Sequence, residues 1–337
     1  MKQTKVTLGD VARVAGVSRA TVSLVVRKSP LVADRTREKV EQVMADLDYV
    51  RDIGAARLRN NSSRTIGVIV PNLVNSFFTE FLSGVEQMMG DDDRVVLLAN
   101  SHDDPVRQSQ ILQRFRGHGV DGVILCPAEG TDPELPLRMQ QWGLPLVQSL
   151  REVGDKVTDY AGADYIKGVQ LAVRHLVESG HRRIAFLSVF ARTSAWAERM
   201  EGFNRAITET GAEDAGIVEA ELSWEGAARS ASELLKLETS PSAVLCFNDV
   251  LAAGLMLGLR RAGHEPGRDI AVVGLDDLPL AELTYPLLTS VAMIPEEIGA
   301  AAARLLARRL LKPDAEVERS IVAPSLMIRD SSAYHAG

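Results

Sequence analysis

The 337-residue sequence predicts an all-α helix-turn-helix headpiece followed by an α/β core of two doubly wound parallel-sheet subdomains. Three observations carry this reading. The first 49 residues show helical periodicity only. From Arg64 onward, buried strands and amphipathic helices alternate in two successive sets, a pattern that builds mostly parallel sheets covered by helices. Charge divides at the same place: residues 1–60 hold twelve Lys and Arg against seven Asp and Glu, a net +5, and the remainder holds 26 against 38, a net −12. A basic head on an acidic body fits a nucleic-acid-binding module attached to a regulatory one, although a chance imbalance gives the same count.

In the head, Thr7-Leu8-Gly9-Asp10 is a capping box that opens a helix carrying Leu8, Val11, Ala12 and Ala15 on one face. Gly16 permits a sharp turn, and Ser18 is a good N-cap for a second short helix from Arg19 to about Val26. A third helix is expected from about Asp34 to Tyr49, with Val40, Val43, Met44 and Leu47 on one face. Two short helices joined by a glycine turn and braced by a third form a helix-turn-helix. Between head and core, Ile53, Ala55, Ala56 and Leu58 allow one or two helical turns, followed by the polar linker Asn60-Asn61-Ser62-Ser63. So short a helix is unstable alone and needs DNA or a partner chain to form.

In the first core set, strands are expected at 65–70, 95–99, 122–126 and 145–149, and helices from Phe77 to Met89, Val106 to Phe115 and 134–142. In the second, helices at 165–179, 197–209, 224–237 and 249–262 alternate with strands at 183–187, 216–219, 242–247 and 270–275. A last helix at about 295–311 and a strand at 319–322 are expected to be exchanged between the two subdomains, which periodicity alone does not show.

Composition narrows the function. The hydrophobic fraction is 46% and the charged fraction 25%, ordinary values that argue against wholesale disorder. No apolar run approaches the roughly 18 residues of a membrane span. Met1 to Lys5 lead into no apolar segment of a secretory signal. Cys126 and Cys246 lie far apart and suggest neither a disulfide nor a zinc site. A cytoplasmic protein without cofactor or metal is expected. Gly117-His118-Gly119-Val120-Asp121-Gly122 fits the dinucleotide fingerprint, but a helix precedes it and a strand follows, the reverse of what that motif needs, so it reads as a turn. His175 and His181 do not share a helical face as metal ligands, and no catalytic constellation assembles.

Ligands in α/β sheets bind beyond the carboxyl ends of parallel strands. Asn248 and Asp276 sit directly after the strands 242–247 and 270–275, and offer a donor with an acceptor and an acceptor of paired hydroxyls. A helix cap or a turn accounts equally for either residue.

The run from Val6 to Ser23 resembles the N-terminal signature of the lactose-repressor (LacI/GalR) family of bacterial transcription regulators. The likeness continues in order through Thr36 to Val40, Tyr49, Ile66-Gly67-Val68, Val120-Asp121-Gly122, Gly180 to Phe186, Glu201-Gly202-Phe203, Asn248-Asp249, Val273 to Asp277 and Pro286 to Thr289, nearly the whole chain. The resemblance implies a headpiece at 1–49, a hinge helix and linker at 50–64, and a periplasmic-binding-protein-like core at 65–337 that dimerises and binds a small effector. It divides the core into subdomains at about 65–163 with 294–322 and 164–293 with 323–337. Double-stranded operator DNA, a small-molecule effector and a second copy of the chain are the implied partners, and no membrane. No heptad-rich tail follows Arg329, so a tail-mediated tetramer is not expected.

The DNA-facing residues implied are Thr7, Leu8, Ser18, Arg19, Ala20, Thr21, Ser23, Leu24 and Arg27, with Ala55 and Leu58 in the hinge. Arg19 suits bidentate bonding to guanine and Ala20 a thymine methyl, while Thr21 and Ser23 suit phosphate. Leu24 replaces the family's usual arginine, Arg51 its proline and Ala33 its helix-capping serine. Leu58 matches the family's intercalating leucine, flanked by Arg57 and Arg59. The effector residues implied are Phe77, Phe78, Arg151, Arg199, Trp224, Asn248 and Asp276, with Trp224 expected as an aromatic wall. Helix packing accounts equally for Phe78, a solvated face for Arg199 and a helix-start core position for Trp224. Polar groups against an aromatic wall favour a sugar or sugar derivative. Leu150 and Met293, where the family is often polar, keep a nucleobase as the alternative. A sugar-binding protein built on the same core would lack residues 1–60.

Overall fold

The computed structural model describes residues 6–26, 29–49, 62–90, 92 and 94–332. The expected DNA contacts Arg27, Ala55 and Leu58, and the hinge helix, lie outside the described residues. The chain forms two compact units, Met1–Ser63 and Arg64–Gly337.

In the first unit, α1 (Leu8–Ala15), α2 (Arg19–Val26) and α3 (Asp34–Asp46) enclose a small core of Val11, Ala12, Ala15, Val22, Val25, Val32 and Val40. Thr7 opens α1 as a capping box: its hydroxyl accepts from the Asp10 N–H and the Asp10 carboxylate accepts from the Thr7 N–H at 3.0 Å. The Thr7 hydroxyl also donates to the Asp10 carboxylate at 2.7 Å, and this bond, with those from Arg13 and the Thr7 N–H, holds the Asp10 carboxyl down at about 2. Gly16 closes α1 in the left-handed region at φ 64°, which glycine adopts without steric cost. α3 stops at Asp46 rather than Tyr49, because Asp48 turns left-handed and the Tyr49 N–H returns to the Met44 carbonyl.

In the second unit, β1 (Thr65–Val70), β2 (Val95–Asn100), β3 (Gly122–Leu125), β4 (Leu146–Ser149), β5 (Asp159–Ala163) and β11 (Arg319–Val322) form a six-stranded sheet in the order β11-β5-β4-β3-β1-β2, parallel throughout. β6 (Arg183–Val189), β7 (Glu213–Ala220), β8 (Ala243–Cys246), β9 (Ala271–Asp276), β10 (Thr289–Ala292) and β12 (Ser325–Met327) form a second, in the order β12-β10-β9-β8-β6-β7, with only β10–β12 antiparallel. Helices α4 (Ser76–Gly90), α5 (Pro105–His118), α6 (Leu135–Gln141) and α11 (Pro295–Leu311) belong to the first sheet, and α7 (Tyr165–Glu178), α8 (Ser194–Thr210), α9 (Trp224–Leu234) and α10 (Asp249–Arg261) to the second. The helix α5 ends in Gly119 at φ 66° before β3, so the glycine motif at 117–122 is a helix-to-strand turn.

Three strands escape the sequence pattern. β5, β10 and β12 are five, four and three residues long; the burial of β5 and β10 shows no clean alternation, and β12 is too short for its pattern to be read. β11 pairs in parallel with β5, so the late helix α11 and its strand join the first sheet after the chain has completed most of the second.

The chain crosses between the sheets after β5, after β10 and between β11 and β12. In the first sheet these crossings involve β5 and β11, at one edge; in the second they involve β10 and β12, at one edge, and the first crossing enters through α7, which packs on β10 and β12 before the chain reaches β6. The opposite edges, β2 and β7, therefore flank the mouth of the cleft between the sheets. The tightest packing of the first subdomain is the α4–α11 crossing, where Gly84 and Gly299 face the backbone of the other helix. A β-carbon on Gly299 would lie 1.9 Å from the Phe81 carbonyl oxygen.

Candidate functional site

The exposed end of the helix-turn-helix is built by Ser18. Its hydroxyl accepts from the Thr21 N–H at 3.0 Å, capping α2, and lies 2.9 Å from the Thr21 hydroxyl. Arg19 and Ala20 follow on the exposed first turn of α2, where side chains can reach base edges. Thr21, Ser23 and Leu24 are half-buried, and Leu24 leans on the headpiece core. Thr7 is committed to the α1 cap, and Leu8 packs against the same core.

Between the two sheets lies a cavity of about 410 Å³, within the range of roughly 300–1,000 Å³ usual for small-molecule sites. Phe77, Phe78, Arg151, Arg199, Asn248 and Asp276 all line it. Asp276 ends β9 with φ 115° and Asp277 continues at φ 55°, a left-handed pair that turns the carboxylate off the strand. The Arg199 guanidinium sits 4.0 Å from the Asp276 carboxylate, with both side chains buried. It is also stacked on Tyr165 at 3.9 Å and Phe247 at 4.3 Å from the ring centroids. One Arg199 Nη donates to the Ala195 carbonyl at 3.0 Å, while its Nε is buried without a protein partner. Burial pushes the Asp276 carboxyl up to about 7; Arg199 opposes this and Glu80 adds to it. Tyr165 is likewise driven to about 12 by burial, so its hydroxyl remains a donor.

Asn248 is both helix cap and cavity wall: its side-chain oxygen accepts from the Leu251 N–H at 3.0 Å, which leaves its amide nitrogen for the cleft. Behind it, Asp249 accepts from the Leu278 N–H at 2.8 Å and from the Ser290 hydroxyl, tying the loop after β9 to α10. This requires Gly274, since a β-carbon there would lie 2.1 Å from the Asp249 carboxylate. Arg151 is held through one Nη by Asp103 at 2.6 Å and by the Pro127 carbonyl at 3.2 Å.

Two expectations need correction. Trp224 does not line the cleft. It is the first residue of α9, 48% exposed, and borders a separate shallow depression with Glu225, Ala228, Arg229 and Arg261. Ser223 caps that helix, and Leu222, two residues earlier, takes the place in the cavity. Met293 is fully buried in the core beside Gly168, so it does not set the polarity of the site. Sequence reasoning missed Tyr165, Phe247, Leu222, Asn72, Asn75 and Asn100 as lining residues. Each lies at or just after the carboxyl end of a strand, the same signal that found Asn248 and Asp276. Tyr165 was hidden because β5 before it was not recognisable.

Residues 7–52 match the sequence profile of bacterial regulatory proteins of the lacI family, and residues 173–332 that of the periplasmic binding protein-like domain. The HTH-type transcriptional repressor PurR of Photobacterium profundum is 31% identical over 327 residues, spanning 96% of this chain and 98% of its own. Among solved structures, a complex of the transcriptional regulator CelR with cellobiose is 30% identical with a TM-score of 0.74, covering 97% of this chain and 99% of the other. The lac repressor dimer bound to operator and the anti-inducer ONPF shares the fold, with a TM-score of 0.88 at 24% identity over 98% of this chain and all of the other. A helix-turn-helix head joined to a two-subdomain ligand-binding core defines a DNA-binding transcription regulator rather than an enzyme. The chain belongs to the LacI family of bacterial transcriptional repressors.

Proposed function

We propose that this chain is a homodimeric, cytoplasmic repressor whose operator affinity is set by a sugar or sugar derivative bound in the cleft between its subdomains. The observation that carries the reading is the convergence of the Asp276 carboxylate, the Arg199 guanidinium and the Asn248 amide on one cavity walled by Phe78, Tyr165 and Phe247. Carboxylate and guanidinium side by side suit adjacent hydroxyls, one accepting and one donating, and aromatic faces suit the apolar face of a sugar ring. The likeness to a cellobiose-bound regulator supports this class of ligand. Leu150 and Leu222 in the lining favour a flatter, less hydroxylated ligand, a nucleobase, as the second reading.

At the other end, Arg19 reads a guanine and Ala20 a thymine methyl in each half-site of an approximately palindromic operator. Self-association is supported by Val95, Leu97 and Leu98, which expose apolar surface on the edge strand β2. A thermal-shift screen against sugars, sugar phosphates and nucleobases identifies the class. Asp276→Ala then abolishes the effector response while sparing operator binding. Survival of the response within a factor of about three, roughly 0.6 kcal/mol, overturns the pocket assignment.

A further inference from the structure

Four asparagines line the cleft, and all four hold their side chains the same way. The Asn72 oxygen accepts from the Val74 N–H at 2.6 Å, Asn75 from Phe77 at 3.0 Å, Asn100 from His102 at 2.8 Å and Asn248 from Leu251 at 3.0 Å. Each carboxamide oxygen is thus spent on the backbone of its own loop, and each NH₂ end is left for the cavity. Among the described residues no protein acceptor meets any of these four amide nitrogens. Arg199 adds the buried Nε without a partner.

Acceptors are scarcer. Of the two carboxylates in the lining, Asp103 takes Arg151 at 2.6 Å and the Glu129 N–H at 3.0 Å on one oxygen and is paired with the Arg151 charge, while among the described residues Asp276 takes no side-chain hydrogen bond. The helices α4 and α10 also begin at this cavity, at Asn75 and Asn248, and present the positive ends of their dipoles to it.

The imbalance has a direction. Asn72 and Asn75 follow β1 and Asn100 ends β2, the strands at the mouth edge of the first sheet. Asp276 ends β9, the neighbour of β10 on the hinge side of the second. The cleft therefore has three open amide donors at its mouth, beside the Arg151–Asp103 pair, and the Asp276 carboxylate toward the hinge.

We propose that the effector is a sugar acid: its hydroxyls lie at Asp276 and Arg199, and its carboxylate at the amide donors of Asn72, Asn75 and Asn100. This rests on the sugar reading above and narrows it. A neutral sugar would bring hydroxyl hydrogens to the mouth, where the amide oxygens are already engaged and the carboxylate on offer is the Asp103 oxygen that Arg151 and Glu129 leave open. A carboxylate accepts only, and three neutral amides, with the N-terminus of α4 after Asn75, can bind it on the wall that also carries the Arg151 guanidinium.

The test is isothermal titration of the full-length protein with matched pairs that keep the ring: D-glucose and D-glucuronate, D-galactose and D-galacturonate, D-mannose and D-mannuronate. Asn75→Asp and Asn100→Asp serve as variants. Aspartate keeps the oxygen that holds each turn and replaces only the amide donor, and the melting temperature of the free variants verifies that the fold is kept. At least one acid should bind ten times or more tighter than its neutral partner, and that preference should shrink at least tenfold in each variant. Neutral sugars binding as tightly as their acids throughout, or a preference that survives in both variants, overturns the proposal. If neutral sugars bind in an Asp276-dependent way and acids do not, the sugar reading stands and the acid proposal fails. If no member of any pair binds, both fall.

Discussion

Asp276 combines three costs that a purely structural residue would avoid: a positive φ, burial, and a carboxyl raised to about 7 beside a guanidinium that does not neutralise it fully. Such concentrated strain is characteristic of binding sites. It also gives a pH signature. Because the folded value lies above the ordinary 3.8, this carboxyl favours the folded state most below about pH 4, and that contribution is lost as pH rises through about 7. The melting temperature of the wild type should therefore fall relative to that of Asp276→Asn between about pH 5 and about pH 8, whatever their difference at the acid end. A pH-independent gap would mean that the carboxyl titrates normally. In the headpiece, Arg19→Ala should cost about 1–3 kcal/mol of operator affinity and relax preference at one base pair per half-site, read by binding-site selection. The misplacement of Trp224 belongs to this scale too. In Leu222-Ser223-Trp224 an apolar residue precedes and follows the serine, and only the Ser223 N-cap, with its hydroxyl accepting from the Gly226 N–H at 3.0 Å, settles that the leucine faces the cleft.

Elements were legible where they were long or strongly patterned. α4 has Phe77, Phe81, Val85 and Met89 on one face, and β1 is a continuous buried run, so both can be read from spacing. β5, Asp-Tyr-Ala-Gly-Ala, is fully buried yet has neither alternation nor a β-branched run. Its place is fixed by partners distant in sequence, β4 and β11. The α4–α11 crossing is invisible in periodicity, since it depends on where two glycines meet across some 200 residues of chain. Gly299→Ala should destabilise the core by more than the about 1–3 kcal/mol typical of overpacking, because the obstacle is the Phe81 backbone and not a movable side chain. Gly90→Ala, in open space on α4, should be neutral or stabilising. Urea unfolding of the two variants separates them, and equal midpoints would show that the helices can slide apart cheaply. In the headpiece, α3 starts at Ala33 with no side-chain cap. Ala33→Ser should restore one and raise headpiece stability by about 0.5–2 kcal/mol.

At the scale of the whole molecule, the three chain crossings at one edge make the cleft a jaw hinged on one side, and few bonds cross it directly. The Glu152 N–H donates to the Ser194 hydroxyl at 2.8 Å, and the Arg192 N–H donates to the Glu129 carboxylate at 2.7 Å. Glu129 and Glu152 come from loops after β3 and β4 of the first sheet, Arg192 from the loop after β6 of the second and Ser194 from the start of α8. None of the four lines the cavity, so they contribute to closure without touching the ligand. An effector that contacts both subdomains binds the closed arrangement best, and its observed affinity is reduced wherever closure is less populated. Each bond is worth about 0.5–1.5 kcal/mol. Ser194→Ala combined with Glu129→Ala should therefore weaken effector binding on the order of tenfold, and should raise the effector concentration needed to change operator affinity by the same factor, because the coupling between two binding sites is reciprocal. Calorimetry with the effector found in the screen, alongside operator titrations at several effector concentrations, measures both. Unchanged effector affinity in the double variant would show that the ligand alone closes the cleft. A shift in effector affinity without the matching shift in the operator response would show that closure and DNA binding are separate equilibria.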